Sequence, residues 1–296
     1  MPLPGSVLVV GADGPIGAAL VHRLSRGGVR VLSTSRRAAS KAAFQVDLMA
    51  PDAWPALPKV DAAVLCAGYT SIGACSENPA ASAAVNVAGV SALAEKLAVQ
   101  ANMVLLLSSN QVFDGSIARR GRADGHCPVC QYGRQKAASE AHVLGLKGGA
   151  VLRLTKVLTP DLPLLTSWRA DLAAGRPVTP FDNFPLAPVT LGFAVETIVD
   201  VLSGGEPGVY QASGADDLTY VDLARVLARH VAADPGLVTP AQAAPAGLGF
   251  ERLPRYSTLE MELEEARFGR AAPASDSVLE EVVRSIVLRG PAVAHG

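Results

Sequence analysis

The chain has 296 residues, 49% of them hydrophobic and 18% charged, with a formal net charge of -1. That length suits one large α/β domain or two smaller ones around a substantial core. The near-neutral balance argues against a nucleic-acid or membrane-surface role, and no apolar run approaches the roughly 18 residues a membrane helix needs.

The start, Met-Pro-Leu-Pro-Gly, lacks the basic and then apolar pattern of a signal peptide, so a cytoplasmic location is expected. Ser6 to Val10 reads as a buried first strand. It opens into Gly11-Ala-Asp13-Gly14-Pro15-Ile16-Gly17 and then a helix reaching about Arg26. Strand, glycine-rich turn and helix in that order predict a dinucleotide site. The glycines permit close backbone approach, and the helix N-terminus faces a pyrophosphate. Val29 to Ser33 reads as the second strand and runs into Thr34-Ser35-Arg36-Arg37. An NAD-specific site usually carries an acid here, and this chain has none. Two arginines and hydroxyls suit the 2′-phosphate of NADP instead. Phe44 to Val46 is the third strand and Val60 to Ala67 the fourth. A long helix follows from about Pro79 to Ala101 and includes Asn86, read either as a support for the site or as an ordinary polar helix residue.

Met103 to Leu107 is a further buried strand, which puts Ser109 just past its C-terminal end. Open α/β sheets bind ligands at that edge. Tyr132 and Lys136 are four apart, so on a helix both project from one face. A lysine there favours the phenolate and lowers the tyrosine pKa. That helix extends to about Gly145, and Ala150 to Leu154 is the sixth strand. The alternation of strand and helix predicts a doubly wound parallel sheet, Rossmann-like, with helices on both faces.

After Lys156 proline becomes frequent. Leu158 to Leu164 reads as loop, Ser167 to Gly175 as a short helix and Pro177 to Pro188 as extended chain. Helices are expected at Thr190 to Ser203, Thr219 to His230 and Ser275 to Leu288, a strand at Gly208 to Ala212, a loop at Ala241 to Gly249, and a frayed tail. The expected division is a dinucleotide-binding domain over 1–157 with 187–212, and a smaller α/β substrate-binding domain from 158–186 and 213–296.

The cysteines are Cys66, Cys75, Cys127 and Cys130. Cys127-Pro-Val-Cys130, even with His126 beside it, lacks the second pair that a zinc site requires, so no metal is expected. Reduced loop thiols are the expectation, and a redox switch near Tyr132 is the alternative.

Ser108-Ser109-Asn110-Gln111-Val-Phe-Asp-Gly, with Tyr132-x-x-x-Lys136 downstream, resembles the signature of the short-chain dehydrogenase/reductases. Within their extended group it is similar to the dTDP-4-dehydrorhamnose reductase branch. Cys66-Ala67-Gly68-Tyr69-Thr70 through Glu77 resembles that branch's Asn-Ala-Ala-Ala-Tyr-Thr loop, with Cys66 and Gly73 standing where the family has asparagine and aspartate. Pro188-Val-Thr190, Gly208-Val-Tyr-Gln-Ala-Ser-Gly214 and Arg255-Tyr-Ser257 resemble its substrate-binding half. The resemblance implies NADPH-dependent reduction of a keto group on a nucleotide-activated deoxysugar. Tyr132 would be the proton donor, Lys136 would hold the cofactor ribose and lower the Tyr132 pKa, both residues would contact the cofactor, and Ser109 would be the hydrogen-bond donor to the substrate oxygen, with Ser108 as its understudy. Asp47-Leu48 would meet the adenine. Cys66, Ala67, Gly68, Tyr69 and Ser108 would line the cofactor, and Thr70, Asn110, Gln111 and Arg255 the substrate. The expected partner is a small nucleotide sugar, with a homodimer left open. Two other readings share these motifs: a catalytically silent NADP-binding regulatory subunit, resembling that of methionine adenosyltransferase, and a nucleotide-sugar epimerase or dehydratase.

Overall fold

The computed structural model describes residues 2–288, so the expected fraying of the tail lies outside the described residues. The chain begins with β1 (Ser6–Val10), α1 (Pro15–Arg26), β2 (Arg30–Ser35), β3 (Phe44–Gln45) and β4 (Val60–Leu65). Next come α2 (Ile72–Glu77), α3 (Pro79–Ala83), α4 (Val90–Ala98), β5 (Ala101–Ser109), α5 (Gln131–Leu144) and β6 (Gly149–Leu154). The remainder is β7 (Lys156–Leu158), α6 (Pro163–Ala173), β8 (Pro185–Leu186), β9 (Pro188–Thr190), α7 (Leu191–Gly204), β10 (Gly208–Ala212), β11 (Leu218–Thr219), α8 (Tyr220–His230), α9 (Glu262–Phe268) and α10 (Ser275–Leu288).

Among the described residues, seven parallel strands form one sheet in the order β10-β6-β5-β4-β1-β2-β3. The strand order reverses between β1 and β4, and that switch point is where a doubly wound sheet opens a crevice for a ligand. The apolar runs explain the arrangement. Val7, Leu8, Val9 and Val10 are all buried, as a strand covered on both faces demands. Val7 and Val9 pack with Leu20, Leu24, Ala194 and Ile198 under α1 and α7. Leu8 and Val10 pack with Leu93, Leu97 and Val143 under α4 and α5.

A third cluster gathers Leu165 and Trp168 of α6, Leu223 and Leu227 of α8, and Leu279 and Val283 of α10. Helix α8 starts on a reciprocal cap, Thr219 with Asp222. β7 pairs with β9 and β8 with β11, small ladders that proline-rich sequence did not announce.

Two expectations are corrected. Ile72–Glu77 is a short helix capped by the Ser71 side chain, not loop. The long helix after Pro79 is interrupted by a π-helical turn, Ala84–Gly89. Such turns free backbone groups and recur near functional sites. Ser139 Oγ donates to the Asn86 carbonyl here, and Gly89 lets the helix approach the 47–48 loop, since a Cβ there would lie 2.2 Å from Leu48 O.

Candidate active site

The glycine turn brings its backbone against β4. Gly11 has φ +85°, and a Cβ on it would meet Ala67 at 2.9 Å. Gly14 precedes α1 in extended conformation, Pro15 at the first helical position carries no N–H, and no side chain caps the helix. A cavity of about 320 Å³ opens there, lined by Gly11, Asp13, Gly14, Ser35, Arg36, Arg37, Asp47, Leu48, Cys66, Ala67, Gly68 and Tyr69 together with Val46, Met49 and Val85. Most of the expected cofactor positions therefore converge on one cavity. Pro15, Ile16, Gly17, Ser108, Tyr132 and Lys136 do not line it. Pro15 is the first residue of α1, Ile16 packs against the sheet core, and a Cβ on Gly17 would sit 2.3 Å from Gly11 O.

At the other end of the crevice Ser109 is the last residue of β5 rather than the one after it. Its Oγ accepts from Gln111 N–H at 3.2 Å and donates to Asn110 Oδ1 at 3.3 Å. Tyr132 and Lys136 lie in the first turns of α5, whose N-cap is Cys130. Both are buried, with 8% and 7% of their surface exposed. Burial raises the Tyr132 pKa above its ordinary value, and a hydrogen bond with the Ser109 side chain only partly offsets this. This corrects the expectation of a phenol acidified by lysine. Lys136 Nζ instead donates to Leu107 O at 2.5 Å. Burial lowers Lys136 to about 8, while Glu140 and Cys66 pull its value back upward. The Cys66 thiol is pushed up to about 12 by burial, and the Lys136 charge acts against that. Cys66 thus links the cavity to α5.

Ser108 is different. Its Oγ is buried with no hydrogen-bond partner among the described residues, and it pairs in register with Arg153. Arg153 Nη2 meets Glu140 Oε2 at 2.8 Å, and the His126 Nε2 lies 2.8 Å from the same carboxylate oxygen. Burial would raise the Glu140 pKa, but His126 and Arg153 outweigh it and hold the carboxyl below its usual range. This buried pair was missed in the sequence. An arginine inside the apolar run Ala150 to Leu154 and a glutamate one turn beyond Lys136 were its signals.

Asn86 supports the site rather than solvating a helix face. Its Oδ1 accepts from Tyr69 N–H at 2.8 Å, and its Nδ2 donates to Tyr69 O at 3.0 Å and Gln135 Oε1 at 2.8 Å. It holds the 66–70 loop against α5.

The substrate positions are less gathered. Thr70 is exposed and Arg255 is exposed, its guanidinium stacked on Tyr256 at 5.8 Å. Neither lines the cavity just described. Asn110 Nδ2 is held by Ser257, at 2.9 Å to its Oγ, so it ties β5 to the C-terminal half. Gln111 lines a small crevice with Tyr256 and Ser257. Phe250, with Phe184 against it, packs beside Tyr132 from the C-terminal half.

The four cysteines are free thiols. Cys130 accepts from Gly133 N–H in the Tyr132 cluster, whereas Cys127 receives Arg120 and packs near Phe113. The two face different surroundings despite their spacing. No cluster that could hold a metal occurs among the described residues, and none of their helices is long and apolar enough to cross a membrane.

The chain is 29% identical over 273 residues to a dTDP-4-keto-6-deoxy-D-glucose reductase of Streptomyces niveus, covering 85% of this chain and 87% of that one. It is 27% identical over 287 residues to a probable low-salt glycan biosynthesis reductase of Haloferax volcanii, covering 92% and 95%. Its fold superimposes on a dTDP-4-dehydrorhamnose reductase of Bacillus anthracis in complex with NADP, with a TM-score of 0.80, 16% identity and 96% and 99% coverage. The family model described as RmlD substrate binding domain matches residues 5–287, and the chain belongs to that family.

Proposed function

We propose that the protein is an NADPH-dependent reductase of a keto group on a nucleotide-activated deoxysugar. The observation that carries this reading is that Tyr132 faces the Ser109 side chain at the ligand-bearing edge of the sheet, while Lys136 of the same helix lies on the strand that ends in Ser109 and acts on Cys66, which lines the adjoining cavity. The relatives named as dTDP-keto-sugar reductases support the substrate class.

The cavity fits the cofactor. The uncapped N-terminus of α1 offers N–H groups to a pyrophosphate. Gly11 leaves the backbone bare where a ligand must lie close. Arg36 and Arg37 supply donors for a 2′-phosphate, and Val46, Leu48 and Met49 supply an apolar wall. NADPH, when bound, supplies the hydride.

The side chains manage the proton. Burial keeps Tyr132 protonated at neutral pH, the state a general acid needs, and Tyr132 Oη gives its proton to the oxygen that gains charge on the substrate. Lys136, one helical turn on, keeps a positive charge near the phenolate that results. Ser109 has its lone pair held by Gln111 N–H, which leaves its own hydrogen in a long bond to Asn110 that a substrate oxygen can take over. We assign the C-terminal half, whose core is the cluster of α6, α8 and α10 and which sets Phe184 and Phe250 beside Tyr132, to the binding of the sugar nucleotide. Four free thiols suit a reducing cytoplasm.

Incubation of the purified protein with NADPH and a panel of dTDP- and UDP-linked 4-keto-6-deoxy sugars tests the reading through loss of reduced nicotinamide absorbance. Tight NADPH binding with no keto sugar reduced would overturn it in favour of a regulatory nucleotide-binding protein.

A further inference from the structure

Phe250 reaches Tyr132 from the C-terminal half of the chain. It belongs to a strap, Gly249 to Arg252, that crosses the start of α5 and is tied down along its length. Phe250 bridges to Cys130 in antiparallel register, and Glu251 N–H donates to Val129 O at 2.9 Å. Arg134 pairs with Glu251, and Arg252 Nη2 donates to Asp114 Oδ2 at 2.5 Å. Gly249, at φ +76°, lies against α2, where a Cβ would stand 3.0 Å from the Ser76 side chain. We propose that Phe250 is a specificity-determining residue, whose ring receives a methyl group carried by the carbon next to the reacting carbonyl. This rests on the reductase reading above and names the part of the sugar that the strap reads.

Three observations carry it. The ring is fixed. It is 5% exposed, and Phe184 meets it edge-on with centroids 5.5 Å apart. Phe184 in turn stacks on Tyr220 at 5.9 Å, so a further ring backs the wall. The surroundings are uncharged. Burial aside, the Tyr132 phenol is acted on by Ser109 and then by the Cys75 and Cys130 thiols, which burial itself pushes up and so keeps protonated. The approach is apolar. Ile72, Phe184 and Leu248 are only partly buried and continue the Tyr132–Phe250 cluster toward solvent. Tyr132 Oη must reach the reacting oxygen, which brings the adjoining carbons of the sugar against this cluster. A hydroxyl placed on these side chains would lose its water without a partner. A methyl gains by leaving water.

Steady-state kinetics with NADPH, on a dTDP-linked 4-keto-6-deoxyhexose and on the 4-keto-pentose that lacks its methyl, tests the assignment. The native protein should prefer the hexose by roughly 10- to 200-fold in kcat/KM, the scale of one carbon in an apolar pocket. Phe250→Ala should bring that preference close to unity by lowering kcat/KM for the hexose alone. Phe250→Leu keeps apolar bulk and should retain part of the preference. Phe250 does not line the dinucleotide cavity, so NADPH affinity by fluorescence titration should be the same in the native protein and both variants. That constancy separates a lost contact from a damaged fold, and Phe250→Leu decides if thermal unfolding shows Phe250→Ala unfolded. A preference unchanged in the variants, or a native protein that reduces both sugars equally well, overturns the inference and leaves the reductase reading standing. Loss of both activities together with NADPH affinity also overturns it, since packing alone then explains Phe250. A native protein that binds NADPH and reduces neither sugar removes the reductase reading, and this inference with it.

Discussion

Lys136 Nζ donates to the Leu107 carbonyl at 2.5 Å. The bond joins α5 to β5 two residues before Ser109, so the helix carrying Tyr132 is locked to the strand carrying the serine. The ammonium acts on the Cys66 thiol, and burial dominates the acidity of the phenol.

Removing only the Tyr132 hydroxyl should leave the fold and NADPH binding intact. Tyr132→Phe should lower kcat by about 10²–10⁴-fold, the usual range for general acid catalysis. Ser109→Ala should act on kcat in the same direction with little change in cofactor affinity. Steady-state kinetics on the true substrate decides, and full activity in Tyr132→Phe would remove the mechanism.

Lys136 fixes the sign of the pH dependence. Burial takes its pKa from 10.5 down to about 8, so the ammonium is lost as pH rises through that value. The kcat/KM for NADPH, which reports the free enzyme, should fall above about pH 8. The linked stability runs the other way. The folded pKa lies below the unfolded one, so the unfolded chain binds more protons between about 8 and 10.5, and stability rises with pH across that window. An alkaline limb that survives unchanged in Lys136→Met would reassign it.

Arg36 and Arg37 should govern NADPH more than NADH. Replacing both with alanine removes charge-assisted contacts worth about 1.5–3 kcal/mol, so NADPH should bind about tenfold weaker or worse while NADH changes little. Parallel titrations of the two cofactors measure the difference.

Glu140 and Arg153 form a buried pair with 0% and 2% of their surface exposed. Glu140→Gln leaves Arg153 without its counter-charge and should cost about 3–5 kcal/mol in denaturant unfolding. It also removes a charge that raises the Lys136 pKa, so the alkaline limb should move to lower pH. A fold-only role would leave that limb in place.

Gly89→Ala should damage the cavity wall at Leu48 from behind. The new Cβ would lie 2.2 Å from Leu48 O, so either the π-helical turn or the Asp47–Leu48 loop must shift. Overpacking of this kind costs about 1–3 kcal/mol, and NADPH affinity should drop with the stability seen in thermal unfolding.

The sequence by itself determined the parts written in local periodicity and spacing. The apolar runs of β1, β4, β5 and β6, the glycine turn before α1, and the four-residue step from Tyr132 to Lys136 each carry their own physical signature. From them the doubly wound sheet and the gathering of the glycine turn, the β2 end and the 66–69 loop around one cavity were legible. Tertiary structure alone decided what depends on distant neighbours. The run after Pro79 reads as one helix until Asn86 must reach Tyr69 and Gln135, and the π-helical turn supplies that reach. Cys127 and Cys130 look like a pair until the chain turns their thiols into separate clusters. Tyr132 reads as acidified by Lys136 until burial is known, because desolvation is set by every element packed around the phenol. Asp13 sits 22 residues from Ser35 in the chain and within hydrogen-bond reach of it in the fold. Parallel pairing of β1 with β2 brings them together, and no local pattern encodes that meeting.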